Sequence, residues 1–478
     1  MKSRIRLAGR TALSATLALS LVACGGGGNP APPTGGPTPP PVNNTCSIAN
    51  QIAFANDVLN EWYLFPDLLD NTVNPADFNN VQDYLDARVA PARAQSRDKG
   101  FTFATSIQAE NDLINSGSTA GFGIRLIFDT TNNRLFLSEV FENGPGFGAG
   151  LDRGSEITAI GINANNLQTV SSLMAAGGPQ AVVDALDPSD PGVSRVLRFF
   201  NDTATTETTV TKADFSLDPI SDRYGALILN DGGKQVGYLN FRTFFPSSAD
   251  DQLRSAWQLF NANGVDELVI DFRYNCGGLV SLADKIGDLL GDNRVGQVWS
   301  ETILRPSKSS ENSTELFEAE AQSLQASKIA FITTRSTASA SELVINSMLP
   351  YLDADSVAII GSNTSGKPVG QFAFDFDACD LRIRAVTFQT VNANGNGDYF
   401  SGLAGTVPNF CAANDDIFTQ LGNENEASIA RALDFLEAGT CNVTTTGGTV
   451  GTASVGNRYE ALRPARPSAA QFEIPGLF

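Results

Sequence analysis

The 478-residue chain contains no histidine. That absence excludes Ser-His-Asp and Cys-His catalysis, two-His-one-carboxylate iron sites and the usual His-built zinc sites. Acid–base chemistry near neutral pH then falls to a carboxylate or lysine with a displaced pKa, or to a metal-bound water. Positive charge is also scarce, with 32 Lys and Arg against 52 Asp and Glu and a net charge of −20. Such a balance argues against nucleic acid or an anionic membrane surface as a partner. The apolar stretch from Thr11 to Val22 is too short for a stable bilayer span. What is present suggests about three domains, at roughly 150 residues each.

Lys2, Arg4, Arg6 and Arg10 precede that apolar stretch, the pattern of an export signal. It ends Leu21-Val22-Ala23-Cys24, which resembles the bacterial lipobox and implies a signal over residues 1–23 with Cys24 lipidated. Ordinary secretion with cleavage elsewhere is the alternative. Setting the four basic residues of the signal aside takes the net charge from −20 to −24. Residues 24–45 are mostly Gly, Pro, Asn, Ala and Thr and read as a tether. Gly25 and Gly26, with no Asp at the second position, resemble the sorting pattern of the outer membrane, so the expectation is a lipid-anchored protein facing the periplasm. Five cysteines remain in a compartment where disulfides persist. Four can pair in three ways. Cys46 and Cys441 bracket the folded chain and Cys379 and Cys411 flank one segment, so the expected pairs are Cys46–Cys441 and Cys379–Cys411. Cys276 is left as a small buried side chain.

Residues 46–110 show helical spacing in Ile52, Phe54, Val58, Leu59 and Trp62, and read as a helical subdomain. Residues 117–211 change to short alternating strands separated by glycine turns. Gly121-Phe122-Gly123-Ile124 and the run Ala149-Gly150-Leu151 through Ile157 resemble a PDZ domain, with Ser155 in place of the usual Asp. The resemblance implies peptide binding by strand addition at Gly121, Phe122, Gly123 and Ile124. A β-rich domain without a ligand is the alternative.

Residues 212–441 repeat strand, loop and helix. The apolar runs beginning at Glu267, Lys328 and Ser356 have the look of buried parallel strands, whose carboxyl-end loops gather ligands. Three loops should therefore converge: 273–278, 335–341 and 361–369. Ser339 and Glu342 fit a capping box, and the helix start they mark offers amides to a developing oxyanion. The third loop fits GxxxxGK, but Pro368 replaces the magnesium-binding Ser or Thr and lacks an amide, so a phosphate loop is disfavoured. Lys367 can act as a base only if burial lowers its pKa from about 10.4 toward neutrality. Asn392 to Asp398 begins like a calcium loop, but Leu403 stands where the bidentate glutamate belongs, so a polar turn and no metal are expected.

Taken together, Asp271-Phe272-Arg273-Tyr274-Asn275-Cys276-Gly277-Gly278, Thr337 to Glu342 and Thr364 to Gln371 resemble the signature segments of the C-terminal processing (tail-specific) serine peptidases, peptidase family S41. The resemblance implies a multidomain α/β fold: an N-terminal helical subdomain, a PDZ-like β-rich domain and an α/β catalytic core of the crotonase/ClpP-like type. It also implies a serine-type endopeptidase without cofactor or nucleotide, acting on protein or peptide substrates with flexible apolar C-termini. Ser339 would be the nucleophile, Lys367 the general base and Gln371 its orienting partner, with the Gly277 and Ala340 amides as oxyanion hole. Cys276 stands where glycine or proline is usual. A catalytically silent peptide-binding lipoprotein is the rival reading. Residues 442–478 read as a low-complexity tail whose apolar end has no legible role.

Overall fold

The three apolar runs lie side by side and parallel, as strands Glu267–Asp271, Lys328–Thr333 and Val357–Gly361, in the computed structural model, which describes residues 45–441, 459, 461 and 467–478. Lys234–Asn240 and Asn409–Ala412 extend the sheet in parallel on either side, and Ala226–Asp231 closes one edge antiparallel. These central strands are continuously apolar because both faces are covered. Leu268, Ile270, Ile329, Phe331 and Ile359 pack among the helices Ala249–Ala262, Val280–Leu290 and Ala340–Met348. The alternating set Val269, Ala330, Ile332, Ala358 and Ile360 packs under the helix Ala427–Ala438.

A second sheet of five strands is built around the long strand Leu381–Asn392, which pairs with Phe103–Thr105, Val298–Leu304 and Val369–Phe376. The segment read as a helical subdomain has its core here. Ile52, Val58 and Leu59 of the helix Ile48–Trp62 share one apolar cluster with Ile383, Ala385 and Val386 of the sheet. Residues 124–211 form a third, antiparallel sheet, with Ile124–Asp129 at its edge and the helix Val170–Leu186 packed against it.

The expected cysteine pairing is corrected: the disulfides are Cys46–Cys379 and Cys411–Cys441, with Cys276 in neither and buried. Docking of the first helix on the second sheet carries Cys46 to Cys379, two residues before Leu381–Asn392. Docking of Ala427–Ala438 on the main sheet returns Cys441 to the edge strand that holds Cys411. Nearness in the fold, not bracketing in sequence, sets the pairs.

The apolar end without a legible role is ordered. A short helix, Ala469–Glu473, capped by Ser468 and Gln471, lays Phe472 on Phe103 with ring centroids 3.9 Å apart, and the following residues reach the edge of the third sheet. Cys24 and most of the segment 442–466 lie outside the described residues. Among the described residues no helix is long and apolar enough to cross a membrane.

Candidate active site

The first loop leaves the strand Glu267–Asp271 under ionic restraint. Arg273 is buried and pairs with Asp271 at 2.9 Å and Glu426 at 2.8 Å. Asn275 then ties this loop to the next. Its carbonyl accepts from the Ala338 amide and the Ser341 hydroxyl, each at 3.1 Å, and its side-chain amide donates to Phe241 O at 2.7 Å. At Gly277, φ is +104°, and a Cβ there would lie 2.7 Å from Ser339 Cβ and 2.8 Å from the Ala340 nitrogen. Only glycine lets the backbone come this close to the serine.

Ser339 is half-buried at the start of Ala340–Met348, with φ +56° and ψ −118°. Such backbone strain on a non-glycine residue persists only where its surroundings fix it, and it aims the side chain off a sharp strand-to-helix turn. Ala340 opens the helix, so its N–H has no carbonyl one turn earlier within the helix and lies at the positive end of the dipole. Every residue of this helix is buried.

Glu342 supplies much of that fixing. Its carboxylate is fully buried and accepts the Ser339 amide at 3.1 Å, the Gly366 amide at 2.8 Å and the Lys367 amide at 2.8 Å. One side chain therefore clamps the serine loop to the lysine loop. Burial pushes the Glu342 carboxyl up, against the hydrogen bonds it accepts. From sequence it reads as a helix cap alone; the amides of the third loop become visible only once the parallel strands bring the loops together.

The lysine loop has two further anchors. Gly366 has φ +79°, and a Cβ on it would meet Phe400 O at 2.3 Å. Lys99, absent from the sequence reading, donates to Ser365 O at 2.8 Å and Phe400 O at 2.6 Å, and burial lowers its pKa. Lys367 Nζ lies 5.2 Å from the centre of the Phe101 ring, and Gln371 Nε2 donates to Phe101 O at 2.8 Å. The Gln371 side chain is thus engaged with the backbone of the residue whose ring faces Lys367. No sequence signal marked Lys99 or Phe101, which belong to the helical segment more than 260 positions away.

A cavity of about 270 Å³ is lined by Lys367, Phe101, Cys276 and Ala338 together with Phe472 and Pro475. A larger one of about 980 Å³ lies beside it at the carboxyl ends of the parallel strands, with Arg335 and Ser336 common to both. The Gly277 amide, expected in the oxyanion hole, donates to Asn275 Oδ1 at 2.9 Å. Among the described residues no cluster of three or more Cys, Asp or Glu is placed to hold a metal. Asn392 instead folds its own turn, its Oδ1 accepting the amides of Asn394 and Asn396. Of the residues Gly121 to Ile124, Gly121 ends the strand Ser118–Gly121 of a separate two-stranded sheet and Ile124 opens the edge strand of the third sheet, and all four are buried.

Known proteins resemble this chain in sequence and in fold. Residues 235–408 match the family model of peptidase family S41. The carboxyl-terminal-processing protease of Picosynechococcus sp. is 24% identical over 324 residues, 67% of this chain and 71% of that protein. The carboxyl-terminal-processing protease of Synechocystis sp. is 22% identical over 280 residues, 58% of this chain and 59% of the relative's length. An S41 protease structure from Bacteroides fragilis aligns over 80% of this chain and 97% of its own, with TM-score 0.63 at 23% identity, a likeness of fold. The segment that matches the family model begins in the strand Lys234–Asn240, runs beyond the lysine loop and includes Ser339 and Lys367.

Proposed function

We propose that the chain is a serine endopeptidase of the Ser-Lys kind that cleaves exported proteins or peptides. Ser339 Oγ attacks the scissile carbonyl and neutral Lys367 takes its proton, then serves again as base when water hydrolyses the acyl-enzyme. The Ala340 amide stabilises the oxyanion. The Gly277 amide joins it by exchanging Asn275 Oδ1 for the developing charge. Gln371 positions the lysine through Phe101, and the 124–211 domain captures an apolar terminal segment by strand addition. The observation that carries this reading is the Glu342 clamp, which holds the backbones of Ser339 and Lys367 on one carboxylate.

The test is degradation of a reporter protein with an unstructured apolar tail. Ser339→Ala and Lys367→Ala are each expected to lower kcat/KM by at least a thousandfold while leaving the melting temperature within a few degrees. Wild type no faster than Ser339→Ala, or full activity in Lys367→Ala, refutes it. We further propose export and lipid attachment at Cys24. Cys24→Ser should shift the protein from the membrane to the soluble fraction, and unchanged membrane retention removes that assignment.

A further inference from the structure

The peptide groove of the third sheet is already filled. Ile124 N–H donates to Phe478 O at 3.0 Å, Phe478 N–H donates to Ile124 O at 2.9 Å, and Leu126 N–H donates to Gly476 O at 2.7 Å. Residues 476–478 thereby add an antiparallel strand to the edge strand Ile124–Asp129. The Phe478 side chain is 2% exposed, within the cluster that contains Phe122, Ile124, Leu173 and Met174. Gly121 is fitted to this occupant, since a Cβ there would come 2.7 Å from the carbonyl carbon of Phe478.

Upstream, the same segment reaches the lysine. Phe472, Glu473 and Pro475 wall the Lys367 cavity, and Tyr459 and Ala461 line the larger cavity beside it. The turn between the two contacts is well held: Gln471 Nε2 donates to Leu477 O at 2.8 Å, and Ile474 and Leu477 are buried in the main core. Residues 472–478 thus line the Lys367 cavity and then pair with the edge strand.

We infer that residues 467–478 are a built-in occupant of the peptide groove, which screens the Lys367 cavity and must be displaced before a substrate enters, and that the groove is fitted to segments of the Gly-Leu-Phe type. An edge strand accepts any extended backbone, so selection rests on side chains. Here the groove takes a large aromatic at the last position and, two positions earlier, a residue able to adopt φ +82° with no Cβ, since one on Gly476 would meet Leu126 O at 2.6 Å. The favoured external ligand is therefore an apolar segment with an aromatic residue at the place of Phe478, competing with the chain's own copy. The consequence for catalysis rests on the peptidase reading; the occupancy of the groove does not.

The experiment uses the full chain in a Ser339→Ala background, with a fluorescent peptide of residues 470–478 as probe. Gly476→Val should release the internal strand and bind the probe at least tenfold more tightly than the parent. Phe472→Ser, which loses the stack on Phe103 and part of the wall of the Lys367 cavity at a half-buried position, should bind it two- to fivefold more tightly and serves if Gly476→Val is misfolded by circular dichroism. With Ser339 restored, both variants should cleave the tailed reporter several-fold faster than wild type. Equal probe binding by parent and folded variants overturns the inference. Tighter binding with no cleavage by any form leaves the occupancy standing and refutes the peptidase reading instead.

Discussion

Glu342 shows how much one buried residue can hold. A carboxylate presents two oxygens that only accept, and here three amides from two loops share them. Glu342→Gln keeps the shape but turns one oxygen into a donor that faces an amide N–H in either orientation. The expected result is a loss of about 2 kcal/mol in stability, and a fall in kcat of at least tenfold with KM little changed. Urea titration and steady-state kinetics check the two parts. A variant with wild-type kcat would show that the clamp does not position the nucleophile. Ser339 and Glu342 were legible as a capping box, because their spacing marks a helix start. Lys99 and Phe101 were not, since their contacts depend on the packing of a remote helical segment on the second sheet.

The helix Val280–Leu290 follows a sequence pattern that anticipates its packing, with Leu282, Ala283 and Ile286 buried against the sheet. Its polar side departs from that simple picture. Asp288 is 7% exposed, its Oδ1 accepts the Glu318 amide at 2.7 Å, and Lys285 Nζ is 3.8 Å from its Oδ2. Burial dominates, and its pKa is pushed up to about 7. A carboxyl raised in the folded state holds a proton that the unfolded chain releases near pH 4, so its effect on stability becomes steadily less favourable from there to about pH 7. Asp288→Asn removes that slope. Its melting temperature relative to wild type should rise by a few degrees between pH 4 and pH 8, as read by thermal scans at both pH values; a flat difference contradicts the assignment. The parallel strands were legible for a plain reason: continuous apolar runs of five or six residues need cover on both faces. The second sheet was not, because its strands come from residues as far apart as 103 and 392 and mix polar with apolar positions.

At the scale of the whole molecule, the third sheet is joined to the core by buried charge. Arg153 donates to Asp415 at 3.0 Å, to the Tyr274 hydroxyl at 3.0 Å and to Ser138 O at 2.6 Å, and its side chain is 2% exposed. Nearby, Arg242 pairs with Glu139 and Glu142, and Arg125 with Glu139. Removing one partner of such a network leaves a charge buried without compensation, a cost of about 3 kcal/mol. Arg153→Met should lose that amount in denaturant titration, and adding Asp415→Asn should recover part of it. Strictly additive losses in the double mutant would show that the two residues are not coupled. The disulfide pairing and the docking of residues 467–478 belong to this scale too. Both depend on which surfaces meet, and no local pattern in the chain records that.

The ionic seam also bears on how this architecture can be altered. A domain that docked through apolar contact could be exchanged for another of similar shape. This one shares its arginines and carboxylates with the core: a transplanted third sheet would leave Asp415 without Arg153 and Arg242 without Glu139 and Glu142. Glu426 and Arg273 continue the same seam to the loop that carries Gly277. Grafting a whole domain would therefore disturb the first loop as well. Substitutions confined to the pocket around Phe478 would leave that seam intact.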